Sequence, residues 1–295
     1  MRRYEVTLIT TGVDTQGEQA TKEALESMAR QINERYVRVG RGHDPRQPPL
    51  GRIVSARVDP IGDGHFALNG EMEVWDEADE PEGIKGDGRS LVPEPAPRNT
   101  FDVLYDMPSA AELGLPFLRE LAALAGPTAK PRYVAKKAIE PLSALVIVIG
   151  IVGAIATGFL KKLGEDLYQQ VKSKLKVAAK PQPERERLLA IRMSLARPGR
   201  GPVAVEVVLT NPTGSDVDSL LTSGLAAVEA LVIRTLAENP AAAEVVIEVV
   251  DRQPRLLYSL RSDGVPSVIK PVAHGELMTQ GLSLGATVED AEERE

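Results

Sequence analysis

The 295-residue sequence contains no cysteine. That excludes disulfides, thiolate catalysis and cysteine-ligated zinc, and it leaves the redox compartment open. Histidine is scarce: His43, His65 and His274 stand alone, none beside a second ligand at metal-binding spacing. Aromatic residues make up only 4% against 43% hydrophobic residues, so the core has to be built from Val, Leu, Ile and Ala. There is no excess of positive charge. A net charge of −7 argues against general nucleic-acid binding. A nucleophile elbow, a P-loop and a glycine-rich dinucleotide turn are all missing. No catalytic, cofactor-binding or metal-binding residue is therefore assigned, and the expectation is a non-enzymatic protein. No signal peptide is visible, since Met1, Arg2 and Arg3 lead into an alternating strand pattern rather than an apolar run.

What the chain does have is one long stretch without formal charge, Pro141 to Leu160, PLSALVIVIGIVGAIATGFL. Twenty helical residues rise about 30 Å, the thickness of a bilayer's hydrocarbon core. The spacing predicts a membrane-spanning helix carried by Leu142, Leu145, Ile149, Ile151, Val152, Ile155 and Phe159. Lys136 and Lys137 before it and Lys161 and Lys162 after it suit anionic lipid headgroups. From Lys130 to Arg187 twelve bases stand against five acids, which reinforces that basic belt. The alternatives are a helix buried inside a soluble assembly and a buried strand, because Leu145 to Ile149 is rich in β-branched residues. The length of the run and the glycines Gly150 and Gly153 speak against the strand. Gly150, Ala154 and Gly158 recur every four residues, which on a helix makes a small face for close packing between copies. Leu163, Leu167, Val171 and Leu175 continue an apolar stripe beyond it, and Pro181 and Pro183 end the segment.

The flanks carry ordinary α+β patterns. Before the run come a strand at Tyr4–Thr10, a helix from Thr15 to Tyr36, a hairpin turned at Gly62-Asp63-Gly64 and a helix from Ala110 to Ala125. Between Val37 and Leu50 lies a loop rich in Gly, Pro and Arg, and the cluster of Arg38, Arg41, Arg46 and, just past it, Arg52 could meet an anionic partner; a solvated loop is the plainer reading. Glu71 to Glu82 holds seven acids and no base. After the run, strands at Leu188–Ala196 and Val203–Thr210, a helix from Asp216 to Glu238 and strands at Glu244–Val250 and Leu256–Arg261 give the order β-β-α-β-β.

The expected fold is α+β: two small α/β-sandwich-like domains, β-α-β-β and β-β-α-β-β, joined by a long, very apolar central helix. The N-terminal domain covers residues 1–110 with an acidic flexible loop at 76–97. A helix and linker follow over 111–140, the apolar transmembrane helix with its amphipathic extension over 141–178, the ββαββ domain over 184–270, and a flexible acidic tail over 271–295. The expected function is that of a membrane-associated, self-assembling effector or adaptor with a single span and domains on both sides. Its partners are anionic lipids and further copies of itself, not nucleic acid. The alternative is a cytoplasmic structural or assembly protein whose apolar helix is buried in a homo-oligomer.

Overall fold

The computed structural model describes residues 2–13, 19–40, 44–75, 87, 89–90, 101–125, 129–133, 142–153, 165–179, 186–197 and 200–269. The chain is α+β and forms two sheets. The smaller is built of β1 Arg2–Thr10, β2 Val37–Val39, β3 Gly51–Gly62 and β4 His65–Val74, in the order β1-β4-β3-β2, all antiparallel. Helix α1, Lys22–Glu34, covers one face of it, burying Leu25, Ala29 and Ile32 against Ile53, Ala56 and Leu68. Its start is fixed by Thr21, whose hydroxyl accepts from the Ala24 N–H at 3.2 Å, so the helix begins later than the apolar stripe implied.

The larger sheet has eight strands in the order β12-β11-β10-β9-β8-β7-β5-β6. They are β5 Phe101–Tyr105, β6 Arg132–Tyr133, β7 Leu142–Gly153, β8 Glu186–Arg197, β9 Arg200–Thr210, β10 Ala242–Val250, β11 Gln253–Arg261 and β12 Pro266–Ile269. Three crossovers join parallel neighbours. β5 reaches β6 through α2 (Met107–Leu113) and α3 (Leu115–Ala122), β7 reaches β8 through α4 (Glu165–Ala178), and β9 reaches β10 through α5 (Gly214–Glu238). The single helix expected over 110–125 is two helices because Gly114, at φ 79°, and Pro116 break it. All these helices lie on one face. Leu118, Leu121, Val171, Leu175, Val228 and Val232 share one core with Ile147, Ile191, Val205, Val207, Val245 and Ile247. β9 runs opposite to β7, yet both crossovers step the same way across the sheet with their helices on the same side. The two connections therefore have opposite hands, and one of them is of the uncommon left-handed kind.

This architecture overturns the central-helix expectation. Leu142 to Gly153 is not the first half of a membrane helix but strand β7, paired with β5 on one side and β8 on the other. A strand covered on both faces has no polar alternation, so a run of Val and Ile there looks as apolar as a membrane span. Leu145 and Ile147 are buried in the main core, while Val146 packs on the opposite face. The pairing with β8 is irregular between Val148 and Val152, the interval that holds Gly150. Leu142, Leu145, Ile149, Ile151 and Val152 are thus strand residues. Ile155 and Phe159 lie outside the described residues, as do Lys136, Lys137, Lys161 and Lys162. Gly150 belongs to β7, and Ala154, Gly158 and Leu163 are likewise outside. Leu167, Val171 and Leu175 do sit on a helix, α4, where Val171 and Leu175 are fully buried. The segment expected as the ββαββ unit is present as β8-β9-α5-β10-β11, and β8 continues the same sheet into β7. Most of the acidic segment 76–97, and the tail 271–295, fall outside the described residues.

One helix among the described residues, α5, is long and apolar enough to cross a membrane, with a mean hydropathy of 1.6 over its most apolar window. Core helices reach the same length and composition, and this one packs Leu220, Leu221, Leu225, Val228 and Val232 into the main core. Its start is a full capping box, in which Thr213 and Asp216 exchange side-chain to backbone hydrogen bonds. The turn Leu220–Gly224 is widened into a π-turn, and the Leu225 N–H reaches back to the Leu220 carbonyl. Tyr168 of α4 donates its buried hydroxyl to the next carbonyl, Leu221 O, at 3.1 Å. Replacing Tyr168 with Phe leaves that carbonyl one donor short, and urea unfolding is expected to show a loss of about 1–2 kcal/mol. A loss within error would mean the π-turn is held by packing alone.

Candidate functional site

The polar groups that converge in this protein do so where the small sheet meets the face of the large sheet opposite its helices. The centre of that face is apolar: Leu188, Ala190, Val208, Val246, Tyr258 and Leu260 are all buried. Around them stand carboxylates on neighbouring strands, Glu186 and Glu206 on β8 and β9, Glu244 and Glu248 on β10. Glu206, Glu244 and Glu248 are buried to 6% exposure or less, so each needs an opposite charge.

Two of those charges come from the sheet itself. Arg192 holds Glu206 with two hydrogen bonds of 3.0 and 3.3 Å, and Arg255 holds Glu248. The others come from the small unit. Arg38 on β2 donates to Glu244 Oε2 at 2.5 Å. Arg46 forks onto Glu186 at 2.7 and 2.8 Å, reaches Thr210 Oγ1 at 3.2 Å, and is itself held in place by Asp44. Thr210 in turn donates to Glu248 at 3.0 Å, which links the two ion pairs. Between them Tyr258 donates its hydroxyl to the Pro45 carbonyl at 2.7 Å.

Arg52 completes the seam. It lies directly opposite Arg38 in the β2–β3 ladder, a like-charge pair that destabilises a sheet unless each member is answered elsewhere. Arg52 is 2% exposed and is answered twice: Nε donates to Glu73 Oε2 at 2.8 Å, and Nη1 donates to the Asp263 carbonyl of the large unit at 3.0 Å. Its guanidinium also sits 4.1 Å from the Tyr36 ring centre and 5.3 Å from that of Trp75. Next to it, Gly51 lets the β3 and β4 backbones pass close together, because a Cβ there would lie 2.0 Å from the Glu73 carbonyl oxygen. Alongside, Ser90 donates to the Ser262 carbonyl at 3.2 Å, while Asp87 and Arg89 pair with each other and bind Tyr36 and the Val54 carbonyl.

The electrostatics follow the geometry. Burial alone would lower the Arg38 value, but the Glu244 charge and hydrogen bond reverse that and leave it raised. Arg46 behaves in the same way, with Glu186 and Asp44 as the reversing groups. The charge of Glu206 holds Arg192 up. Burial pushes the Tyr258 hydroxyl far above its ordinary value, with Arg38 opposing. All three arginines therefore carry their charge at any working pH, and the tyrosine stays a neutral donor.

Of the four arginines singled out in the sequence, Arg38, Arg46 and Arg52 meet acidic groups or a carbonyl of the chain's own second unit, and Arg41 lies outside the described residues. Their anionic counterpart was not anticipated. Its signal is present in VAVEVVLT and AEVVIEVV, where Glu206, Glu244 and Glu248 interrupt strands that are otherwise almost wholly apolar. Such a carboxylate has to be answered from another element. Among the described residues no group of three or more His, Cys, Asp or Glu is arranged to hold a metal ion. His65 contacts Thr11 at 3.2 Å, and His43 and His274 lie outside the described residues. The chemistry of the seam is recognition: Arg38 and Arg46 of the small unit on carboxylates of the large sheet, the second of them as a fork. Comparison with protein-family models, characterised proteins and solved structures yields no match for this chain.

Proposed function

We propose that the chain is a non-enzymatic assembly protein that works in water as a homo-oligomer. The observation that carries this reading is the seam. Across it, guanidinium groups of the small unit meet carboxylates and a carbonyl of the large one, which is the chemistry by which protein surfaces select one another. The first part of the apolar run that argued for a bilayer, Leu142–Gly153, is an interior strand with a neighbour on each side. The test is purification without detergent, followed by native mass measurement from low micromolar to near-millimolar concentration. The expected result is a soluble protein whose mass rises with concentration. A single-chain mass throughout would end the reading. A second reading, a membrane-associated effector or adaptor on anionic lipids, rests on the length and apolarity of α5. Retention in carbonate-washed membranes would favour it and displace the first.

A further inference from the structure

We propose that two copies of this chain pair edge to edge through strand β1, antiparallel, so that their small sheets become one continuous sheet of eight strands. This inference rests on the assembly reading above and names its interface. β1 is the outer strand of the small sheet, with β4 beside it. The bonds around β4 show which way its backbone groups turn. The Trp75 N–H donates to the Leu50 carbonyl, so Glu73, Glu71 and Asn69 turn their backbone groups toward β3, and Val74, Met72 and Gly70 turn theirs toward β1. Arg3, Glu5 and Thr7 lie opposite Glu73, Glu71 and Asn69, and their N–H and C=O groups therefore point away from the sheet. Arg3, Tyr4, Glu5 and Thr7 are all exposed. The strand holds neither proline nor glycine up to Thr10.

Charged side chains ordinarily blunt such an edge. Here they are self-complementary in one register. With Tyr4 on a two-fold axis, Arg3 of each copy lies opposite Glu5 of the other, and the outward groups of both residues meet as hydrogen-bonded ladder pairs. An axis through Glu5 would set two carboxylates face to face. One through Val6 would run Arg3 into the irregularity between Thr7 and Ile9. The charge balance of this face also favours the first register. Glu5 already lies opposite Glu71 in the β1–β4 ladder, and its ion partner Arg57 is shared with Asp59. A guanidinium from a second copy answers that like-charge pair. On the other face, helix α1 packs over β3 and β4 and reaches β1 only at Leu8 and Ile9. Tyr4 shares that face through its register with Met72 and Ile53 and is left 43% exposed. Pairing brings the two Tyr4 rings together across the axis, where side chains of a non-hydrogen-bonded pair stand closest. The two-fold uses up both edges, so the product is a closed dimer.

Two single charge reversals, R3E and E5R, test the register. The side chains they replace are 60% and 61% exposed, so the fold tolerates the changes, which circular dichroism checks. Each variant alone sets like charges opposite one another, and its dimer is expected to be about tenfold weaker than that of the wild type. Mixed, the two restore both opposite-charge pairs. The expected result is a one-to-one dimer, at twice the chain's 31.8 kDa, at a concentration where neither variant pairs alone. Proline at the edge gives a second arm. E5P removes an outward N–H and no bond to β4, so the variant should keep the wild-type spectrum and lose the dimer. A wild-type dimer that survives E5P, with no gain on mixing R3E and E5R, overturns the strand pairing and leaves the assembly reading with its interface elsewhere. A wild type that stays single at every concentration ends both.

Discussion

Replacing Arg52 with alanine is expected to destabilise the protein by about 3–5 kcal/mol, because the change removes one partner of a buried pair and leaves the other. Glu73 is 3% exposed and would keep only its bond to Arg3, whose own side chain is largely in water. The Asp263 carbonyl loses the Nη1 donor that ties the small unit to the large one. Arg52→Lys keeps the charge but neither the fork nor the stacking against Tyr36 and Trp75, so it should recover less than half of the loss. The single tryptophan offers a local readout. Trp75 lies beside Arg52, so its fluorescence reports the seam while far-ultraviolet circular dichroism reports both sheets. In urea the two signals of the wild type should change together. In the alanine variant the Trp75 signal should move first, since the seam is what couples the units. Coincident curves with a loss under about 1 kcal/mol would show that the seam contributes orientation and little else.

The arginine loop and its carboxylates show where sequence reasoning stops. The hairpin at Gly62-Asp63-Gly64 was legible because all three residues adopt positive φ, which those residue types tolerate. Helices α1 and α5 were legible from apolar stripes and caps, each to within a turn or two. The ββαββ order was legible from turns and alternation. Arg38, Arg46 and Arg52 could be seen as a cluster wanting anions, but their partners lie far along the chain, and no local pattern encodes a pairing of that range. The acidic half of the site was hidden for a related reason. Glu206 and Glu244 interrupt runs of Val and Ala, and only the fold shows that they face the same way. The central run failed differently: both candidate structures, a spanning helix and a fully buried strand, demand the same composition, and length favoured the wrong one.

That choice makes a sharp mutational pattern. Alanine substitution along Leu145, Val146, Ile147 and Val148 is expected to alternate, with losses of about 2–5 kcal/mol at Leu145 and Ile147 and about 1 kcal/mol at Val146 and Val148. The cause is the two-residue period of a strand. Leu145 and Ile147 are 2% and 0% exposed in the core under the helices, where truncation leaves a cavity, while Val146 and Val148 are half-buried on the other face. A helix would put residues 145 and 147 on opposite sides, and in lipid neither side would be more sensitive than the other. Proline makes the complementary case. At position 147 it removes a ladder hydrogen bond from an interior strand between β5 and β8, and the chain should fail to fold. Equilibrium urea unfolding of the four alanine variants gives the answer. Equal losses at all four positions, or the largest at Val146 and Val148, would remove β7 from the centre of the sheet and return Leu142 to Leu160 to the helical reading.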